Sequence, residues 1–274
     1  MTYVQLSPLD LAIAALLLLI PALISLALKL GLQKSLAIAA LRTVVQLSLL
    51  GLILEWVFEA NRWYYVLPML LVMLIAAARA AISRSARQVP GSHITAFASL
   101  TLATSLTTFA ITELVIGADP WFTPQYVIPL LGMLLGNGLT GISLGLDRML
   151  SDIVLQRPAI EARLAMGSSL WEASRQHLKE GVRNGMIPII NAMMVVGLVS
   201  LPGMMTGQIL AGADPADAVA YQILIMFMIA AATALGTITL CLLTFRRLAH
   251  PMARLRWDII THRDETPAPS HAKK

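Results

Sequence analysis

The side chains of this 274-residue chain that could do chemistry are few, and most stand inside long apolar runs. Glu113 lies near the end of a Ser/Thr-rich run over 94–116, where a carboxylate offers a hard oxygen donor to a cation. Met204 and Met205 follow Pro202 and Gly203 in the string GLVSLPGMMTGQILAGADP, residues 197–215, and their thioether sulfurs are soft donors. Adjacent residues on a helix project in different directions, so the pair reads first as adaptable packing around a helix break and second as ligands. Arg42 and Gln46 stand four apart and share a helical face. Asn137 sits among Gly132, Gly136, Gly138 and Gly141, a small-residue surface that favours close helix approach, and Asn191 lies near Pro188 and Met194. Polar groups at membrane depth are expensive and usually face a bundle interior or a watery path. Glu113, Arg42, Gln46, Asn137, Asn191, Pro202, Met204 and Met205 are therefore the candidate lining of a translocation pathway, with Glu113 the one candidate metal ligand. Each has a plainer role beside it: snorkelling for Arg42, a wet interfacial carboxylate for Glu113, helix packing for the asparagines.

Other chemistry is missing. The single cysteine, Cys241, excludes an intrachain disulfide and a Cys-based zinc cluster. The five histidines, His93, His177, His250, His262 and His271, have no metal-ligand spacing and fall at or beyond the ends of apolar blocks. No G-x-x-x-x-G-K-[ST] string cradles phosphate, since the nearest approach, Lys34-Ser35, lacks the preceding glycine. No nucleophile and base are spaced for catalysis. The chain is expected to be no enzyme and to bind no cofactor of its own.

The elements that must position these residues are membrane helices. Hydrophobic residues make up 57% of the chain and charged ones 13%, about half the charge of an average soluble domain. The apolar residues fall in blocks of about 20, the length that crosses a ~30 Å hydrocarbon layer. Seven candidate helices result, near 9–28, 36–54, 64–82, 94–116, 126–146, 187–209 and 218–243, giving an all-α polytopic membrane protein. In the third, the run between the aromatic residues and Arg79 is only Val66 to Ala78, and Trp63, Tyr64 and Tyr65 supply an interfacial anchor. The first lacks a cationic n-region and a small-residue cleavage site, so it reads as a retained span.

Nineteen of the twenty Lys and Arg residues then fall on one side, leaving Arg62 opposite, while Asp10, Glu55, Glu59, Asp119, Asp214 and Asp217 fall on the other. Cytoplasmic loops retain positive charge, so the N-terminus is expected outside and the C-terminus inside. The net charge of +5 follows this sidedness and does not point to nucleic acid. No internal duplication of the kind that marks many secondary carriers is visible. A membrane domain over 1–250 is followed by a tail, 251–274, expected to be solvated and without order.

The longest connection, 147–185, is the one place for an extended docking surface. Pro158 and Glu161 suit a helix start, Gly167, Ser168 and Ser169 make a break, and Leu164, Leu170 and Trp171 oppose Arg163, Arg175 and Lys179. By pattern alone it is an amphipathic helix on the anionic leaflet or a coupling helix. The string EARLAMGSS, 161–169, resembles the cytoplasmic EAA loop of ABC-transporter permeases, in which an acidic residue precedes glycine by six positions, here Glu161 and Gly167. The Ile-x-Leu-Pro element of that loop is absent at its usual spacing: Glu180 stands where proline would fall, and Pro188 comes later.

The chain also resembles the FetB-like family of iron-export permeases and the related plant permeases linked to aluminium tolerance. The likeness rests on Gly197 to Pro215, Tyr221-Gln222, Val127-Ile128-Pro129, Gly136-Asn137, Arg42 and Gln46. It implies a multi-pass inner-membrane permease that homodimerises and pairs through Glu161, Gly167, Ser168 and Trp171 with a cytosolic ABC-type ATPase, which binds the ATP and Mg. It suggests iron efflux, whereas the plant relatives suggest a sugar nucleotide. The residues alone leave open a self-sufficient channel or secondary carrier working through Arg42, Glu113 and the broken sixth helix.

Overall fold

With no water to satisfy it in hydrocarbon, a backbone must bond within its own segment, and the apolar blocks are accordingly helical. The computed structural model describes residues 7–117, 122–250 and 254–262. Its helices in chain order are α1 (Pro8–Leu16), α2 (Leu19–Ala27), α3 (Gln33–Ala60), α4 (Trp63–Arg84), α5 (Ser92–Ile111) with a π-helical turn over Thr112–Ile116, α6 (Pro124–Leu155), α7 (Arg157–Ala165), α8 (Leu170–Val195), α9 (Gly203–Leu210) and α10 (Pro215–Leu248). Among the described residues six helical segments are long and apolar enough to cross a membrane: α1 with α2, then α3, α4, α5, α6 and α10.

Three boundaries differ from expectation. The expected first helix is interrupted at Leu17 and Leu18, because Pro21 has no N–H for the Leu17 carbonyl and the turn tightens instead, Leu17 N donating to Ala14 O at 3.2 Å and Leu18 N to Ala15 O at 3.0 Å. The expected helix 187–209 is not one helix: α8 reaches up from the long connection to Val195, an irregular stretch follows, and α9 begins at Gly203. Residues past 250, expected to lack order, are structured over 254–262. Strand β2 (Ala249–His250) pairs with β3 (Arg254–Leu255), and β4 (Thr261–His262) pairs antiparallel with β1 (Arg87–Gln88), between α4 and α5. Leu255 is buried, and Trp257, Ile259 and Ile260 pack against the core. Apolar residues dispersed among charges escape a search for long apolar blocks. Asp119 and the sequence beyond His262 lie outside the described residues.

Helix α6 is the central post, packed by α4, α5, α8 and α10. Its 32 residues and the 34 of α10 run about 48 and 51 Å, so both outlast a ~30 Å hydrocarbon layer. The closest packing is between α6 and α8, where two Gly-x-x-x-Gly pairs meet, Gly141 against Gly185 and Gly145 against Gly181. A Cβ on Gly185 would lie 2.5 Å from the Gly141 carbonyl oxygen, and one on Gly181 2.8 Å from that of Gly145. Thr237 of α10 closes the junction, its methyl 2.7 Å from where a Cβ on Gly185 would be. Around it Ile142, Leu146, Met149, Leu150, Ile153 and Leu240 are fully buried. By contrast α1, α2 and most of α3 stand clear of this body, which α3 meets only near its end, where Leu54, Val57 and Phe58 pack on Tyr65, Val66 and Ile128.

Candidate functional site

Two regions gather the predicted residues, and α8 joins them. The first is the basic end of the bundle, where the last turn of α4, the first of α5, the ends of α6 and α10 and the start of α8 meet. Asp147 accepts from Ala86 N at 2.8 Å and from the Ser85 hydroxyl, and Arg247 donates to the Pro90 carbonyl at 3.0 Å. Gly91 permits the latter approach, for its φ is +80° and any Cβ would occupy the Arg247 guanidinium.

Helix α7 projects from this end. Arg157 bonds Glu161 at 2.8 Å one turn on, and its guanidinium lies 5.0 Å over the Trp257 ring. Ile160, 1% exposed, roots the helix in the core. Its C-terminus is a Schellman motif: Gly167 at φ +90° lets Gly167 N reach Leu164 O and Ser168 N reach Arg163 O, both at 3.0 Å. A capping box then starts α8, Glu172 N donating to the Ser169 hydroxyl while Ser169 N donates to the Glu172 carboxylate at 2.8 Å. The Ser169 hydroxyl, which donates to the same carboxylate at 2.7 Å, and the Ser169 N–H together hold the Glu172 carboxyl below the usual carboxylate range. Glycine at 167 thus does conformational work, and Glu161 is an exposed, paired carboxylate. Trp171 turns the other way, edge-on to Phe245 of α10 with centroids 5.7 Å apart. Missed in the sequence were Leu155 and Met166, 75% and 77% exposed, which bracket α7. They read as the ends of apolar runs until the turns beside them are seen.

The second region is the break beyond α8. Val196 is extended, Gly197 takes φ +83°, Gly197 N donates to Ser200 O at 2.9 Å, and Pro202 caps α9. Two cavities flank it. One, of about 560 Å³, is lined by Met193, Leu201, Pro202, Met205, Gln222 and Met226; the other, of about 280 Å³, by Met133, Asn137, Pro202, Met204, Gln222 and Met226, among others. Met204 and Met205 face different cavities, as adjacent helical positions must. Gln222 borders both; it is 7% exposed, and its Oε1 is buried without a hydrogen-bond partner among the described residues. A lone amide near the start of the last apolar block was the signal that could have found it.

The structure therefore brings Asn137, Pro202 and Met204 to one cavity, sets Met205 on the other beyond Pro202, and leaves the rest apart. Asn137 Nδ2 donates to Met133 O at 2.9 Å within its own helix. Asn191 is exposed on α8, Arg42 and Gln46 are exposed on α3, and Glu113 is exposed in the π-helical turn. No group of three or more His, Cys, Asp or Glu side chains is placed to hold a metal among the described residues.

Known proteins are similar to this chain over most of its length. A model of an uncharacterised protein family, UPF0014, matches residues 8–249. The UPF0014 membrane protein YjkA of Bacillus subtilis is 36% identical over 240 residues, 88% of this chain and 94% of its own. The Escherichia coli protein named as the probable iron export permease FetB is 32% identical over 238 residues, 87% and 90% of the two chains. Protein ALUMINUM SENSITIVE 3 of Arabidopsis thaliana is 32% identical over 229 residues, 83% and 82%. No solved structure matches.

Proposed function

Since this chain belongs to the UPF0014 family of membrane proteins, we propose that it is the permease subunit of an ATP-driven exporter whose ATPase is a separate cytosolic chain. On this reading the basic end is cytoplasmic, the chain crosses the inner membrane seven times with the broken α8–α9 stretch as its sixth crossing, and two copies meet two ATPases. The observation that carries it is α7. It is a short helix with an exposed face, bracketed by the exposed Leu155 and Met166, yet rooted by Ile160 and tied through the Gly167 turn to α8. Such a knob passes a push to the membrane as rigid-body motion, because a packed core yields as a unit. The push would arrive at the break, where paired cavities and the Gln222 Oε1, unpartnered among the described residues, await a passenger. Iron is the proposed cargo, on the name of the Escherichia coli relative, with Glu113 an oxygen donor at the outer mouth.

The test is affinity purification followed by transport in inverted vesicles. Stoichiometric recovery of a P-loop ATPase and ATP-dependent movement of radiolabelled iron are expected. Glu161→Ala should lower ATPase recovery, and Glu113→Ala should lower transport with recovery intact. Ion-gradient-driven transport by the lone chain would refute the reading in favour of a secondary carrier.

A further inference from the structure

A second site lies on the outer flank of α8, facing α10. A groove of about 470 Å³ is floored by Leu178, Val182, Ile238 and Leu242 and rimmed by Arg175, Lys179 and Arg183. The cations follow one another at four-residue steps on one helical face, about 6 Å apart along the axis. Arg175, Lys179 and Arg183 make no ion pair among the described residues, although Glu172 lies near enough to Arg175 to interact with its charge. The remaining acid of this turn, Glu180, bonds Gln176. Trp171 closes the end of the groove farthest from the membrane centre, its ring held on Phe245.

Depth decides what such a groove holds. Gly185 touches Thr237, and Arg183 lies two residues, about 3 Å, toward the basic end. Arg246 follows Thr237 by nine residues, about 13 Å, so Arg183 sits about 10 Å deeper than the charges that end α10. With the charges that end α10 placed in the outer headgroup layer, Arg183 would stand level with the hydrocarbon edge, Lys179 and Arg175 would reach outward through the headgroups, and Ile238 would run down the apolar flank. An unpaired guanidinium at that edge snorkels toward phosphate, which its planar fork binds bidentately.

We propose that this groove seats one anionic phospholipid of the inner leaflet, its phosphate among Arg175, Lys179 and Arg183 and an acyl chain along Leu178, Val182, Ile238 and Leu242. The inference rests on the cytoplasmic placement of the basic end given above. Basic pockets between membrane helices on that face take anionic headgroups, whereas choline lipids have no net charge to offer. The seat lies on α8, so lipid held there bears on the helix that joins α7 to the break.

The experiment is native mass spectrometry of the purified full-length chain in detergent, without ATPase, titrated with phosphatidylglycerol, phosphatidylcholine or glycerol 3-phosphate. One phosphatidylglycerol should be retained, and the Arg175→Gln/Lys179→Gln/Arg183→Gln variant should bind it about 100-fold more weakly. Arg246→Gln, outside the groove, and Arg175→Lys/Arg183→Lys should stay within a few-fold of the parent. Leu242→Trp, which fills the groove and keeps every cation, should also lose the lipid. Equal retention by the triple variant, equal binding of phosphatidylcholine, or equal binding of glycerol 3-phosphate would overturn the proposal. Displacement of the lipid by added ATPase would identify the groove as a protein-docking face instead. Binding here needs neither ATP nor transport, so failure of the exporter reading leaves this result interpretable, while labelling that puts Arg175 outside would overturn the orientation and, with it, the inner-leaflet seat.

Discussion

Replacing Gly185 with alanine tests whether the glycine seam sets the distance between α6 and α8. The added Cβ would meet the Gly141 carbonyl oxygen at 2.5 Å and the Thr237 methyl at 2.7 Å, separations that packed atoms do not tolerate. Neither obstacle is the end of a flexible chain, so the helices must part by several tenths of an ångström or more. Overpacking of this kind costs about 1–3 kcal/mol. Alanine recovers up to about 1 kcal/mol of helix propensity, leaving a net loss of roughly 0–2 kcal/mol at one site. Gly136→Ala is the matched control: it lies in α6 with nothing within 4 Å of a Cβ, so only the propensity gain applies. The pair should differ by about 1–3 kcal/mol, and Gly181→Ala/Gly185→Ala should roughly double the deficit. The assay is reversible denaturation in mixed micelles, followed by far-UV circular dichroism. If Gly185→Ala and Gly136→Ala have the same midpoint, the two helices are not in the contact described and the reasoning fails.

Three further outcomes are expected. Leu155→Asp and Met166→Asp should cut ATPase co-purification by tenfold or more without moving the denaturation midpoint, because both side chains are exposed, and an unchanged yield would remove α7 from the docking surface. Leu255→Asp should destabilise by about 2–4 kcal/mol, since it places an unpaired carboxylate where a 5% exposed leucine stood; a wild-type midpoint would mean that residues 254–262 do not cover the core. His177 gives a pH signature: burial, aided by Arg163 and opposed by Asp152, holds its pKa below the ordinary value near 6.5. The folded chain then binds the proton less well than the unfolded one. Stability is full above about pH 6.5 and should decline as pH falls through that value toward the lower folded one. His177→Gln should flatten that slope in midpoints measured from pH 7.5 to 5. The Glu172 cap is lost only below the ordinary carboxylate range, so the two windows stay apart.

What could be read from the sequence divides along a physical line. Helix existence was legible because hydrocarbon forces each apolar block to bond internally, and the break near Pro202 was legible because proline and glycine act locally. The pairing of Gly141 and Gly145 with Gly181 and Gly185 was half legible. The α6 glycines stand out in an apolar run, but those of α8 are hidden among the charges of an amphipathic connection. Leu155 and Met166 become candidates only through their exposure, which no local pattern encodes, whereas the Gln222 amide is visible in its apolar block but its burial without a partner among the described residues is not. Residues 254–262 were lost for the opposite reason, because four apolar side chains dispersed among charges carry no period. Arg42, Gln46, Asn191 and Glu113 stand out by polarity at depth, yet polarity does not say which side chains share a cavity.

The position of the seam along α8 gives the exporter reading its mechanical content. From the middle of the Gly181–Gly185 contact, Leu170 is 13 residues and Val195 is 12 residues away, arms of about 20 and 18 Å. A rod held at that point and pushed at α7 moves its far end by nearly the same amount in the opposite sense. A 3 Å push would therefore shift Val195 by about 3 Å, enough to trade volume between the two cavities that share Val196, Pro202 and Gln222. Pro188 lies between the pivot and the break, where the lost N–H lets the outer arm bend and absorb part of that stroke. The glycines then serve two ends at once, close packing for stability and a fixed axis for transmission. Gly185→Ala should accordingly lower transport per ATP hydrolysed while ATPase capture through α7 stays intact. A variant that loses stability but keeps its transport-to-hydrolysis ratio would leave the seam as packing alone.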